Sequence, residues 1–195
     1  MGGVQFGYQP EAHPTILKYI LHVGRSDLPP HVDAVWASPL CTHCSIARSK
    51  AKTPRHFVYA DSLVAKAREI VSWYPGVPFF IENPPGVLKD RTVIQGIPRF
   101  TIDDCQYKDE RWLQLYRKHT NLWTNCLFHP RPLCDKKTCG CCVIGKHMAM
   151  VQTWYTNTDG TRMRNRTSHV LYTIPPRLLE DVFGCALASP LQAPT

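Results

Sequence analysis

The sequence lacks the features of a membrane, secreted or disordered protein. No apolar run approaches the roughly 20 residues that are needed to span a bilayer. Residues 1–15 have no basic stretch followed by an apolar core, so they do not resemble a secretory signal. Hydrophobic residues make up 44% of the chain, which excludes wholesale disorder. We therefore expect a protein of a reducing intracellular compartment, the cytoplasm or the nucleus, with no membrane partner.

Acidic residues are scarce, with 15 Asp and Glu against 23 Lys and Arg, so the net charge is +8. A basic balance favours a polyanionic partner, and nucleic acid first. The nine cysteines are an odd number and come without a secretion signal. Intracellular chains with many thiols more often use them for metal binding or catalysis than for a disulfide framework. A length of 195 residues favours one domain.

Hydrophobic patterning predicts a strand–helix–strand unit in the first half of the chain. Residues 31–38 are apolar and partly β-branched, and residues 77–81 form a second buried run. Between them, residues 57–74 carry apolar side chains at helical spacing. This order predicts a βαβ unit and hence a parallel sheet. Further strands are predicted at 97–102, 119–124 and 168–174, and a last helix from Pro175–Pro176 through Phe183, ended by Gly184.

The two strongest predicted strands both end in chemically reactive sequence. Cys41 follows the first strand, and Glu82 and Asn83 follow the second. Ligands of open parallel sheets bind at the carboxyl ends of the strands, so we expect this thiol and this carboxylate on neighbouring loops. A thiolate nucleophile with a carboxylic acid suits attack on an electron-poor ring such as a nucleobase.

These residues resemble the DNA cytosine-5 methyltransferase family, in particular its compact phage-type and virus-type members. Residues 37–45, ASPLCTHCS, are similar to the loop that carries the family's nucleophile, and residues 80–84, FIENP, are similar to its Glu-Asn motif. Residues 105–107 and 116–125 resemble the segment with its base-contacting arginine. The resemblance covers residues 31–130 well.

The resemblance implies a Rossmann-like methyltransferase fold of the α/β class with a mostly parallel sheet. It also implies that Cys41 attacks C6 of a flipped cytosine in DNA, that Glu82 assists at N3, and that S-adenosylmethionine supplies a methyl group to C5. Asn83 would hold the loop, and Arg117 would orient the base or its phosphate. The chain departs from the family at its start, where no strand precedes the glycines of residues 1–8. We therefore expect an N-terminally truncated core without the glycine loop, so no cofactor-binding residues are assigned.

Each of these motifs also has a simpler interpretation. Cys41 and Cys44 form a C-x-x-C pair, which could be half of a metal site or a redox pair. Glu82 could be a surface or capping carboxylate, and Arg117 one charge of a solvated face.

The segment 126–147 is rich in cysteine, proline and lysine and predicts an irregular region that could bind zinc. Cys134, Cys139, Cys142 and His147 could supply the four sulfur and nitrogen ligands of a structural zinc site. Cys141, Cys126 or His129 could substitute for one of them. The alternative is a set of reduced, partly buried thiols.

Basic side chains indicate where nucleic acid would bind, although a solvated face would also carry them. The candidates are Arg48, Lys50, Lys52, Arg55, Lys118, Arg162, Arg164 and Arg166. We divide the chain into a partial catalytic core (1–125), a Cys-rich insertion (126–150) and a C-terminal strand and helix (151–195). Three hypotheses follow: a minimal cytosine-5 methyltransferase, an impaired relative that binds nucleic acid, and a zinc-stabilised nucleic-acid-binding module.

Overall fold

The structure is a computed structural model that describes residues 6–7, 15–49, 51–108, 117–147, 154–156, 162–164 and 174–188. The chain divides into two compact units, the first reaching Ile97 and the second beginning at Pro98. Both units contain strands, and the described residues of each include an α-helix, so the chain belongs to the α/β class. None of the helices in the described part is long and apolar enough to cross a membrane.

The first unit contains the predicted βαβ unit. Its strands and helix are β1 (Phe6–Gly7), β2 (Ile16–Leu17), β3 (Val35–Ala37), α1 (Phe57–Ser72) and β4 (Phe79–Asn83). Strands β3 and β4 pair in parallel with Trp36 opposite Phe80, which confirms the predicted direction. Helix α1 buries Ala60, Leu63, Val64 and Ala67, which recur at the spacing of one helical face.

The second unit contains the remaining strands and the second helix. These elements are β5 (Arg99–Asp103), β6 (His119–Thr124), β7 (Cys142–Val143), β8 (Lys146–His147), β9 (Trp154–Thr156), β10 (Arg162–Arg164) and α2 (Pro176–Ala188). Strands β7 and β8 form a hairpin whose two turn residues, Ile144 and Gly145, both have positive φ. This backbone geometry fits the twist of a two-residue hairpin loop.

The expectation of a mostly parallel sheet is wrong. Among the described strand pairs, β1–β2 and β3–β4 are parallel, whereas β5–β6, β7–β8 and β9–β10 are antiparallel. Parallel pairing needs a long crossover, which helix α1 provides for β3 and β4. The hairpin connection of β7 and β8 is too short for such a crossover, so these strands must run in opposite directions.

The prediction for the C-terminal helix is correct at its start and wrong at its end. Helix α2 begins at Pro176, where proline suits the first turn. It continues through Gly184 to Ala188, so this glycine lies inside the helix rather than ending it. The predicted strand at 168–174 lies outside the described residues except for Ile174, which is not in a strand.

Candidate active site and metal centre

The Cys41 loop leaves strand β3 as a tight turn. The carbonyl oxygen of Cys41 accepts hydrogen bonds from the backbone N–H groups of Cys44 (2.9 Å) and Ser45 (2.8 Å). The Ser45 hydroxyl then accepts from the N–H of Ala47 and begins a short 3-10 turn. Cys41 is partly exposed, whereas Cys44 is buried. The local hydrogen bonds thus fix a turn in which Cys41 is the more exposed of the two cysteines.

Glu82 and Asn83 end strand β4, and their loop contacts the Cys41 loop. The Asn83 side-chain amide donates to the carbonyl of Pro39 at 2.8 Å. The N–H of Val87 donates to the Cys44 carbonyl (2.9 Å), and the N–H of Ile46 donates to Pro85 (3.1 Å). The two loops that follow the parallel strands therefore form one hydrogen-bonded unit, which we call the loop pair (residues 39–46 and 82–87).

Gly86 allows the loop pair to close. A Cβ atom at this position would lie 1.9 Å from the carbonyl oxygen of Cys44, which is far inside van der Waals contact. The requirement comes from this close approach and not from the φ angle of 166°, which is ordinary extended backbone. Sequence analysis missed Gly86, because the approach of a distant backbone leaves no local pattern.

The polar groups of the loop pair lie below the surface. Glu82 is only 8% exposed and Asn83 only 1%. The Oδ1 atom of Asn83 is buried and has no hydrogen-bond partner in the described part of the chain. Buried acceptors of this kind are rare and need a partner, which a bound ligand or water can supply.

The two cysteines of the C-x-x-C pair differ in their environments. Burial raises the pKa of the Cys44 thiol, and the nearby Asp61 carboxylate raises it further. Cys44 is therefore held as the inert thiol in the core of the loop pair, and Cys41 is the accessible sulfur. This difference disfavours the interpretation of the pair as two equivalent metal ligands.

Two arginines of the basic loop after Cys41 donate hydrogen bonds to backbone carbonyl groups of the protein itself. The Arg55 guanidinium donates to the carbonyls of His43 (2.6 Å) and Ser45 (3.1 Å). Arg48 donates to the carbonyls of Thr53 and Pro54, each at 3.2 Å. Lys52 is exposed, and Lys50 lies outside the described residues. Arg48 and Arg55 thus fix the shape of the loop, while Lys52 is accessible to a partner.

In the second unit, a cluster of cysteines and one histidine could bind a metal ion. The ligand atoms of Cys105, Cys134, Cys139 and His147 all lie within 4.8 Å of one another. We call these four residues the Cys/His cluster. The three cysteines are buried, and His147 is half-buried. Cys105 follows strand β5, and the other three come from the Cys-rich segment.

The distances in the Cys/His cluster fit a tetrahedral metal ion. His147 Nε2 lies 3.4 Å from Cys134 Sγ and 3.6 Å from Cys139 Sγ. Bond lengths of about 2.3 Å for Zn–S and about 2.0 Å for Zn–N would separate sulfur and nitrogen in a tetrahedron by about 3.5 Å. The N–H of Lys136 also donates to Cys134 Sγ at 3.3 Å, which fixes the position of this sulfur.

The environments of His147 and Cys139 favour their metal-binding forms. Burial lowers the pKa of His147, and the positive charge of Arg117 lowers it further, which favours the neutral imidazole. Neutral imidazole is the form that binds metals. Burial tends to raise the pKa of Cys139, but hydrogen bonds from the Cys141 backbone and neighbouring thiols outweigh it and lower this pKa. Cys139 is accordingly predisposed to the thiolate state.

The predicted ligand set needs one correction, because Cys105 takes the place of Cys142. The Cys142 sulfur lies 3.3 Å from that of Cys139 but is not one of the four mutually close ligand atoms. Burial and Cys139 raise the pKa of Cys142 to about 12. Cys105 was missed as a ligand because it lies far from the Cys-rich segment in sequence. The proposed substitutes Cys141, Cys126 and His129 are also outside the group of four.

Asp103 connects Arg117 to the Cys/His cluster. Its side chain is fully buried, and its Oδ1 atom accepts from Arg117 Nε at 2.9 Å. Its Oδ2 atom accepts from the backbone N–H of Cys134 at 2.8 Å. Lys118, a candidate for nucleic-acid binding, has its Nζ atom 3.9 Å from Asp104 Oδ2.

The remaining basic candidates lie towards the C-terminus. Arg162 and Arg164 occupy alternate positions of strand β10. Arg166 lies outside the described residues.

Comparison with known proteins gives no further assignment. No model of a known protein family matches this chain. No curated protein matches it at a significant level. The residues and their geometry must therefore carry the functional argument.

Proposed function

We propose that this protein performs covalent chemistry on cytosine in DNA, of the type used by DNA cytosine-5 methyltransferases. The observation that carries the proposal is the loop pair. A partly exposed thiol follows strand β3, a buried carboxyl group lies at the end of the adjacent parallel strand β4, and Asn83 hydrogen-bonds the Cys41 loop at Pro39. We further propose that the βαβ unit is part of a Rossmann-like fold.

In the proposed reaction, the Cys41 thiolate adds to C6 of cytosine while Glu82 donates a proton to N3. The S–C6 bond forms, and the electrons of the C5–C6 double bond make C5 nucleophilic. C5 can then take up a proton from water. Loss of either proton from C5 restores the double bond, expels Cys41 from C6 and returns the N3 proton to Glu82.

In the resembled family, S-adenosylmethionine would supply a methyl group to C5. Among the described residues, no glycine-rich loop leads from a strand into an α-helix, so none of them is assigned to this donor. The addition to cytosine needs no methyl donor.

Duplex DNA containing [5-³H]cytosine tests the addition step without a methyl donor. We expect the protein to release tritium into water, because each cycle of addition and elimination exchanges the C5 hydrogen. Cys41→Ser should abolish release, whereas the matched variant Cys44→Ser should retain it if it remains folded. Release by Cys41→Ser equal to that of the unchanged protein would reject the proposal.

We also propose that the Cys/His cluster binds zinc as a structural ion. Three sulfurs and one imidazole are a ligand set typical of structural zinc sites, which leave no open position for catalysis. Metal analysis of the purified protein should give about one zinc per chain. A ratio far below one after expression in zinc-supplemented medium would reject zinc.

The second candidate function is a zinc-stabilised nucleic-acid-binding module without catalysis. The Cys/His cluster and the net charge of +8 favour it. The tritium experiment separates the two, since DNA binding without any release of tritium would support the binding module.

A further inference from the structure

We infer that Asp103 and Arg117 form an outer layer of the metal site, in which Arg117 positions a metal ligand instead of contacting a nucleobase. The inference rests on the proposed metal binding by the Cys/His cluster. It departs from the role that the resemblance implies for Arg117. It does not depend on the chemistry of Cys41.

The geometry places Asp103 against the backbone of the metal ligands. Asp103 is the last residue of strand β5 and lies two positions before Cys105. Its Oδ2 atom accepts from the N–H of Cys134 at 2.8 Å. One buried carboxylate therefore fixes the main chain near two ligands that are distant in sequence. Groups in this position orient metal ligands in many sites.

Arg117 holds this carboxylate in place. Its Nε atom donates to Asp103 Oδ1 at 2.9 Å, and only 26% of the Arg117 side chain is exposed. The Nδ1 atom of His119 lies 2.8 Å from the same oxygen. Withdrawal of Arg117 towards a nucleic acid would remove the guanidinium from a carboxylate that has no exposed surface, which is strongly unfavourable.

The charges of a metal-loaded site would also favour a cation at this position. Three thiolates, one divalent ion and a neutral histidine sum to −1, and the Asp103 carboxylate adds a second negative charge. Arg117 is the guanidinium that contacts Asp103, so it offsets this charge where it is buried. A neutral side chain of similar length would keep part of the packing and lose this compensation.

Metal titration of Arg117 variants tests the inference. Co²⁺ serves as the probe, because its absorption reports tetrahedral thiolate ligation, and Zn²⁺ competition then gives the zinc affinity. We expect Arg117→Met and Asp103→Asn to weaken zinc binding by about 10-fold to 100-fold. Arg117→Lys should restore part of the affinity. The matched control is Arg99→Met, at the exposed start of strand β5, the strand that ends at Asp103. Its zinc affinity should stay within about 2-fold of that of the unchanged protein.

The outcomes are distinguishable from those of the proposed function. Zinc affinity of Arg117→Met equal to that of Arg99→Met would overturn the inference, even if the unchanged protein binds zinc and exchanges tritium. If Arg117→Met does not fold, Arg117→Lys decides, since an affinity loss with an unchanged Co²⁺ spectrum supports a positioning role and no loss overturns it. Absence of any metal binding by the unchanged protein would overturn both the inference and the zinc proposal, but not the role of Cys41.

Discussion

The loop pair and the Cys/His cluster differ in the interactions that hold them together. Backbone hydrogen bonds and one side-chain amide hold the loop pair together, and a glycine without a side chain lets the two backbones meet. The Cys/His cluster instead brings together side chains whose charged forms repel one another. The loop pair is held by hydrogen bonds within the protein, whereas a cation would offset the repulsion in the Cys/His cluster.

Because of this difference, we expect the loop pair and the Cys/His cluster to respond differently to the loss of metal. Cys105 follows strand β5 and the other three candidate ligands come from the Cys-rich segment, so a bound ion would join segments that are distant in sequence. In the loop pair, hydrogen bonds of ordinary length join the two segments.

The largest effect is expected from metal removal. Chelation should destabilise the second unit by about 4 kcal/mol, the free energy that an ion contributes at a thousand times its dissociation constant. Hydrogen exchange should accelerate in β5, β6 and the segment 134–147, and remain unchanged in β3 and β4. Equal acceleration in both regions would contradict the contrast, and no acceleration anywhere would reject a structural ion.

A side chain at Gly86 should have the next largest effect. Gly86→Ala places a methyl group against the Cys44 carbonyl, so the loop pair must open, at a cost of about 3 kcal/mol. Denaturant unfolding measures the change. Gly24→Ala is the matched control, because its Cβ would meet the nearest atom at an ordinary distance of 3.7 Å. Equal stabilities of the two variants would show that the loops are not in close contact.

Loss of the Asn83 amide should have a smaller effect. Asn83→Ala removes the donor to the Pro39 carbonyl and should cost about 2 kcal/mol, since the hydrogen bond of a buried side chain is lost. Gln95→Ala removes a comparable bond, from Nε2 to the carbonyl of Lys89, at an exposed position. That control should change the free energy of unfolding by less than about 0.5 kcal/mol. A larger loss in the control would contradict the importance assigned to burial.

Thiol alkylation should show the smallest effect, as a difference in rate. At pH 8, iodoacetamide should modify Cys41 at least about 10-fold faster than Cys44, because thiolates react and burial raises the pKa of Cys44. The reactivity of Cys44 should rise only when the pH exceeds the ordinary thiol range. Peptide mass mapping after short exposures gives both rates, and faster labelling of Cys44 would refute the assignment of Cys41 as the accessible sulfur.

The sequence predicted the elements that local patterns determine. Helix α1 and strands β3, β4 and β6 follow from helical spacing and buried apolar runs, and the parallel pairing follows from the crossover between β3 and β4. The prediction that the last helix ends at Gly184 was wrong, because a glycine ends a helix only where the backbone leaves the helical conformation. The antiparallel pairs were missed because pairing direction depends on which strands meet.

The parts of the sites that were missed depend on contacts between distant residues. Cys105 looks like a lone cysteine in sequence, and only the end of strand β5 brings it to the Cys-rich segment. Asp103 and Gly86 belong to no local sequence pattern. Asp103 accepts a hydrogen bond from the distant backbone of Cys134, and Gly86 allows the close approach of the Cys44 carbonyl. Cys41, Glu82 and Asn83 could be found because each follows a strand that the sequence predicts.

The most direct test of the central claim is covalent capture by DNA that contains pyrimidin-2-one in place of cytosine. This base lacks the exocyclic amino group, so its C6 is more electrophilic and no methyl donor is needed to trap the thiolate. We expect intact-protein mass spectrometry to show one adduct per chain, and peptide mapping to assign it to Cys41, with none formed by Cys41→Ser. Absence of the adduct under conditions in which the protein binds the DNA, or its assignment to any other cysteine, would contradict the account.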